Sequence, residues 1–406
     1  MNENEISYAV LGNGLRVVTR RNGSPVAHFG VAINAGSRDE RPGEYGLAHF
    51  VEHTIFKGTR RRRAWHILNR MELVGGELNA YTTKEETMLY STFPAGNLER
   101  AADLIADLVE DSQFPAVEID RERLVVADEI DSYLDVPAEG IFDDFEDLIF
   151  AGSPLGHNIL GNEKELEGFS TDVCRGYLTR FYTPGEMVVF YSGPETSAKV
   201  LRTVEKCFRS LTRPDTPRGR EVPVVVPEFD QERQIDSHQA HTVMGARVPG
   251  MLDSGRYAMA LLTNMLGGPG MNSLLNVALR ERRGLVYTID AGTTMMSDTG
   301  LFTIYFGCDR EDVGRCRRLV NNVIGDIADK GVTPRKLAEA KKQYLGQLAV
   351  ASVNTEQNAL SMARSTLYRG SVVTSAQVRA EIEAVDVARL RDCALRLTSL
   401  SRLTMV

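Results

Sequence analysis

The sequence predicts an α+β fold of two tandem homologous domains, each a mostly antiparallel sheet covered by helices. Three observations carry this. The chain has 406 residues, more than one ordinary hydrophobic core holds. Strand-like and helix-like stretches run in one order before residue 212 and begin again in that order after residue 228. Between them, residues 212–228 (TRPDTPRGREVPVVVPE) carry four prolines and break both periodicities, as an extended linker does. The expected domains are therefore residues 1–211 and 229–406.

In the first half, ISYAVL and LRVVTR flank Gly12-Asn13-Gly14, a hairpin signal, and HFGVAINAG follows as a third strand. Helical periodicity covers about residues 46–56 and 64–74, the second helix ending at Gly75-Gly76. ELNAYTT and TMLYSTF read as strands, followed by three helical stretches between Asn97 and Phe150. A helix near 171–182, the strand MVVFYSG and a helix to Leu211 complete the half. A weak repeat links the halves: Leu68-Asn69 matches Leu275-Asn276 at an offset of 207, and Tyr81-Thr82 matches Tyr287-Thr288 at 206.

Composition narrows the function. With 43% hydrophobic and 25% charged residues the chain is an ordinary globular one. A net charge of −8 argues against nucleic acid, because no basic surface is implied that could neutralise a row of phosphates. The one basic run, Arg60 to Arg63, reads as a helix cap or a solvated loop. No apolar run reaches the ~20 residues that span a bilayer, and MNENEISYAV does not read as a signal peptide. Five scattered cysteines match neither a disulfide framework nor a Cys-x-x-Cys site, so a reducing cytoplasm is expected. The run Gly267-Gly268-Pro269-Gly270 lacks the Lys-Ser/Thr of a phosphate loop and reads as a turn.

The chemistry-bearing stretch is Gly46-Leu-Ala-His49-Phe-Val-Glu52-His53, an H-x-x-E-H pattern. On a helix His49 and His53 share one face, so both can point at one ion, with Glu52 near the same face. Two imidazoles and a carboxylate suit Zn²⁺, whose bound water ionises near neutral pH; Glu52 would take the proton. With 7 histidines and 55 acidic residues in the chain, roughly 0.02 such patterns arise by chance. A third ligand must come from elsewhere. The helical segment 121–135 (RERLVVADEIDSYLD) offers Glu122 and Glu129 on one face, with Leu124, Val125 and Leu134 on a side expected to be buried. On the residues alone, either glutamate serves.

These stretches resemble the pitrilysin/insulinase family of metallopeptidases, particularly its short branch, which includes mitochondrial processing peptidases. The resemblance rests on GLAHFVEHTIFKGT, GGELNAYTTKEETMLYSTF, ERLVVADEIDSYLD, SPLGHNILG with GYLTRFYTPGEMVVFYSG, and LGGPGMNSLLNVALRERRGLVYTI. They run in the family's order across nearly the whole chain. The resemblance implies one zinc per chain, held by His49, His53 and Glu129, with Glu52 as base and Glu122 as a supporting acid. Glu129 stands 76 residues beyond His53, the family's spacing. It further implies that Arg280 and Tyr287, in LRERRGLVY, bind substrate backbone and stabilise the oxyanion, with Arg282 and Arg283 close enough to leave the choice of arginine open. The strand with Asn79, Ala80 and Tyr81 resembles the family's substrate-binding edge. The second half has no histidines in SGRYAMALLTNMLGG and carries Lys342 where the glutamate ligand would stand, so it resembles a copy without the metal site.

The resemblance therefore implies a zinc endopeptidase taking short or unfolded polypeptides into a clamshell chamber, as a bacterial cytoplasmic homodimer. The rival readings are a non-catalytic scaffold, a subunit active only beside a different chain, and a metal-independent peptide-binding module. Scaffold relatives typically lose the motif that this chain retains. A subunit needing another chain predicts a missing Arg/Tyr pair.

Overall fold

The computed structural model describes residues 5–214 and 219–406. Residues 1–4, residues 215–218 of the expected linker, and the side chain of Leu134 lie outside the described residues. Contacts divide the chain into two compact units. The first joins Met1–Asp131, His157–Arg220 and Asn354–Val372; the second joins Ser132–Gly156, Glu221–Val353 and Val373–Val406.

The chain opens with β1 (Glu5–Val10), β2 (Arg16–Arg21), β3 (Val26–Ile33), α1 (Leu47–Ile55) and α2 (Ala64–Glu72). β4 (Glu77–Thr82), β5 (Thr87–Pro94), α3 (Leu98–Asp111), α4 (Ala116–Leu134) and α5 (Pro137–Ile149) follow. Next come α6 (Glu163–Leu166), α7 (Thr171–Phe181), β6 (Met187–Gly193) and α8 (Ser197–Phe208). After the linker stand β7 (Asp230–Arg233), β8 (Ala240–Val248), α9 (Arg256–Gly267), β9 (Val286–Met295), β10 (Gly300–Cys308) and α10 (Val313–Lys330). The chain closes with α11 (Pro334–Ala351), α12 (Thr355–Arg369), α13 (Ser375–Glu383), α14 (Val387–Arg396) and β11 (Ser401–Met405).

The sheet orders are β1-β2-β6-β3-β5-β4 and β7-β11-β8-β10-β9. From β2 onward the two are the same, and in each the first pair alone (β2–β6, β7–β11) is parallel. Tyr81-Thr82 falls on edge strand β4 and Tyr287-Thr288 on its counterpart β9. The weak sequence repeat thus marks a true repeat of topology.

A single cut inside residues 212–228 misplaces two segments. In the first unit Phe29, Val31, Val189 and Tyr191 face a core shared with α1, α3, α7 and α8. Their neighbours Ala32, Val188 and Phe190 point the other way, as strand alternation requires. That second face is covered by Ala359, Leu360, Met362, Ala363 and Leu367 of α12. Burying these side chains contributes on the order of 10 kcal/mol before the entropy of ordering the helix. The second unit borrows in the opposite direction: Ile141, Phe145 and Ile149 of α5 pack with Val243, Leu301, Leu403 and Met405. The linker's Arg220 also belongs to the first unit, where its guanidinium donates to Asp39 (2.8 and 3.2 Å) and to the Glu85 carbonyl (2.7 Å). The basic run leads into α2, whose N-cap is Arg63; Arg60, Arg61 and Arg63 are exposed, while Arg61 and Arg62 pair with Asp103 and Asp107 of α3. Among the described residues no helix is long and apolar enough to cross a membrane.

The α12 face carries one titratable device. His28 on β3 is buried, with Nδ1 2.9 Å from Thr92 Oγ1 and Nε2 3.0 Å from Thr355 Oγ1 at the start of α12. Burial holds its pKa below 6.5, against the pull of Glu356. A histidine depressed on folding gives stability that is full above its unfolded pKa, near 6.5, and lost as pH falls through the lower folded value. Denaturation midpoints should therefore fall between pH 7.5 and 5.5 more steeply in wild type than in His28→Gln. Equal slopes would remove His28 from the pH dependence.

Candidate metal centre

α1 starts at Gly46, whose φ of 96° turns the chain sharply into the helix. Leu47, Ala48, Phe50, Val51 and Ile55 enter the first unit's core, where Phe50 meets the Phe169 ring at 5.5 Å. His49, Glu52 and His53 share the flank of the helix turned toward α4. α4 buries Ile119, Val126 and Ile130 in the same core, together with the carboxylate-bearing Glu122. Leu124 and Val125, expected to be buried, are 69% and 50% exposed. The helix is rotated from that expectation because the residues facing inward are those at the spacing 119, 122, 126, 130, which also aims Glu122 and Glu129 at α1.

One nitrogen from His49, one from His53 and one oxygen from Glu129 lie within 4.8 Å of one another, the one such cluster among the described residues. Glu129 Oε2 is 3.8 Å from His49 Nε2 and 3.5 Å from His53 Nε2. Two atoms each about 2.0–2.1 Å from a tetrahedral zinc stand roughly 3.3 Å apart, so both separations from Glu129 lie within about half an ångström of what that ion needs. The Glu129 side chain is 41% exposed, which leaves the cluster open to solvent on one side, as a catalytic site requires.

Burial, reinforced by the neighbouring His53, pushes the His49 pKa down to about 3. His49 is therefore a neutral imidazole, the form that ligates. Its Nδ1 is buried with no hydrogen-bond partner. His53 differs: its Nδ1 meets Glu122 Oε1 at 3.2 Å, and Glu122 Oε2 accepts from Lys57 Nζ at 2.7 Å. Glu52 is half-buried. Burial raises its pKa; Thr82 at the end of β4 and His53 oppose the shift, and Glu129 adds to it. A carboxylate so raised is better matched to taking a proton near neutral pH.

The structure thus brings His49, Glu52, His53, Glu122 and Glu129 together in the first unit. Asn79, Ala80 and Tyr81 lie on β4, the sheet edge beside α1. Ala80 packs against the α1 side of the sheet, whereas Tyr81 packs on the α12 side, 3.3 Å from the Arg364 guanidinium. Arg280 and Tyr287 belong to the second unit. Arg280 is exposed in a π-helical turn, Asn276–Glu281. Tyr287 is the extra residue of a bulge, since Val286 pairs with Cys308 and Thr288 with Gly307, and its phenol donates to Asp309 Oδ1 at 2.9 Å. Sequence reasoning missed Lys57. The available signal was a lysine four residues after His53, one helical turn further along.

Comparison with known proteins is consistent over the whole chain. The sequence profile of Insulinase (Peptidase family M16) matches residues 16–163, and that of the Peptidase M16 inactive domain matches residues 168–344. A Bacillus subtilis protein named uncharacterized zinc protease YmxG is 31% identical over 390 residues, covering 95% of this chain and 94% of that protein. A probable mitochondrial-processing peptidase subunit beta of Arabidopsis thaliana is 29% identical, covering 95% of this chain and 75% of that protein. In fold, a protease from Helicobacter pylori superposes with a TM-score of 0.91 at 21% identity, covering 99% of this chain and all of that one. A peptidase M16 inactive domain from Pseudomonas fluorescens gives 0.92 at 17%, covering 99% and 97%.

The Glu122 bridge yields a prediction for metal affinity. Glu122→Ala should weaken zinc binding about 10- to 100-fold by releasing the His53 ring, read by competition with a chromophoric chelator. An unchanged affinity would mean that Glu122 does not orient His53.

Proposed function

The chain belongs to the insulinase family of peptidases, family M16, and from that membership we infer a zinc metallopeptidase in which Glu52 is the base of peptide-bond hydrolysis. The observation that carries the role of Glu52 is its place: half-buried on the flank of α1 between the two histidines, with a pKa raised by burial. His49 Nε2, His53 Nε2 and Glu129 Oε2 are the atoms that would hold the metal. When bound, zinc supplies Lewis acidity to the substrate carbonyl and lowers the pKa of a water to about 7. Glu52 then takes the proton of the attacking water and returns it to the departing amine. Glu122, tied to Lys57, keeps the His53 ring in place through the cycle.

The substrate class is a short or unfolded polypeptide. Strand β4 ends its sheet, so an extended chain can add to its free side through backbone hydrogen bonds, which tolerates varied side chains. Asn79, Ala80 and Tyr81 are the positions assigned to this pairing. Arg280 and Tyr287 are assigned to the substrate backbone and the developing oxyanion, as the family resemblance implies; a guanidinium and a phenol are suitable donors. The same reading assigns the active form to a homodimer in a bacterial cytoplasm.

Cleavage of a fluorogenic peptide panel, with zinc content determined in parallel, tests the reading. Glu52→Gln should keep its zinc and lose cleavage by about 10²- to 10⁴-fold, and a chelator should abolish wild-type cleavage. Zinc-loaded wild type that cuts no unfolded peptide would favour instead a scaffold or a subunit active only beside a different chain. Tyr287→Phe separates a transition-state contact from uniform binding: kcat should drop about 10²-fold with KM nearly constant. A rise in KM alone would assign the phenol to substrate capture.

A further inference from the structure

Helix α1 carries both histidines, yet it begins without a side-chain cap of its own, because its N-cap is Gly46. The amides at its start are satisfied from a distance. Glu40, whose side chain is fully buried, accepts from Gly46 N at 2.9 Å through Oε2 and from Ala48 N at 2.7 Å through Oε1. Its Oε2 also meets His157 Nε2 at 2.9 Å. The His157 ring stacks on Tyr45 with centroids 4.1 Å apart and planes 22° apart. The His157 carbonyl accepts from the buried Lys84 ammonium, in the turn that follows β4.

The chain just after His157 then crosses the start of α1 at backbone contact. A Cβ on Gly161 would stand 2.0 Å from the Tyr45 carbonyl oxygen, and one on Gly46 would stand 2.5 Å from that of Leu160. Both glycines have positive φ, 73° and 96°. A Ser or Asp at position 46 would be the cheaper cap in an ordinary helix, but no side chain fits there. Glu40 does that work from outside the helix; burial raises its pKa well above the ordinary carboxyl value, and the two amide donors oppose that rise.

The asymmetry between the two histidines gives this clamp a consequence. His53 is oriented by Glu122, but the second nitrogen of His49 has no partner. The position of His49 therefore depends on the backbone that carries it, and the adjacent amide, Ala48 N, is the one held by Glu40.

We propose that Glu40 and His157 are positioning residues of the peptidase site: the buried pair fixes the start of α1, and through it the placement of His49 and Glu52. The activity arm of this proposal rests on the peptidase reading. Zinc affinity and amide exchange do not, so the two can fail separately.

The test uses the full chain with His157→Phe, Glu40→Ala and Glu40→Gln. Phenylalanine keeps a ring against Tyr45 and removes the imidazole that meets Glu40. Three quantities are read: zinc affinity by chelator competition, hydrogen exchange across residues 46–50 in the metal-free protein, and kcat and KM on a fluorogenic peptide. For His157→Phe, zinc affinity and kcat should each fall about 10- to 100-fold, with KM nearly constant and faster exchange confined to the start of α1. Glu40→Ala should do the same more severely, and Glu40→Gln, which keeps one accepting oxygen for one of the two amides and turns an NH2 toward the other, should recover only part of the loss. Variants that lower only the melting temperature, with zinc affinity and local exchange at wild-type values, would overturn the proposal. If Glu40→Ala does not fold, His157→Phe decides alone, and if wild type cleaves nothing, zinc affinity and exchange still decide.

Discussion

Glu129 reaches His49 and His53 from a different helix, with its oxygen 3.8 and 3.5 Å from their nitrogens. A site of this kind tolerates displacements of only about half an ångström before its geometry is lost. Much of the first unit can be understood as the means of holding that tolerance. α1 and α4 do not float on a shared surface. Leu47, Phe50 and Val51 from one, and Ile119, Val126 and Ile130 from the other, are parts of a single close-packed core. The carboxylates around the histidines, Glu52, Glu122 and Glu129, outnumber the one nearby lysine, Lys57. Such an imbalance favours a divalent cation.

The second unit shows what the same topology looks like without that requirement. Its strands repeat the order and sense of the first; α9 follows β8 as α1 follows β3, and α11 is the second α-helix after β10 as α4 is the second after β5. Between them stands an uncharged contact, Asn264 Nδ2 donating to Gln347 Oε1 at 2.8 Å. Lys342 is an exposed residue of α11. A neutral amide pair needs no ion to balance it. The fold therefore does not demand the metal; the histidines and glutamates of one copy do.

Much of this was legible in the residues, for identifiable reasons. The spacing of His49, Glu52 and His53 is itself a geometric statement once the segment is helical. Gly12-Asn13-Gly14 and Gly75-Gly76 mark turns because few other residues adopt those conformations. Glu122 and Glu129 could not be told apart on spacing, since positions seven apart share a face; their separate roles depend on Lys57 and on the axial offset between two helices, which periodicity does not encode. Leu124 and Val125 were misread because a helix with acids on several sides gives a weak apolar stripe. The exchange of α5 and α12 was invisible for a different reason. Ile141, Phe145 and Ile149 announce that a face is buried, but nothing in an apolar stripe names the sheet that will cover it. Glu40 and His157, 117 positions apart, meet only in the folded chain.

The exchanged helices also set a timetable for synthesis. When Arg220 has been made, the first unit possesses its sheet and every other helix, but the face bearing Ala32, Met88, Val188 and Phe190 stays uncovered until α12 is made, roughly 135 residues later. At ordinary translation speed that wait is on the order of ten seconds. Through that interval a broad apolar sheet face stands open to solvent beside the ribosome, so the nascent chain is a natural client for chaperones. A gene cut at the linker would leave the first half in that state permanently.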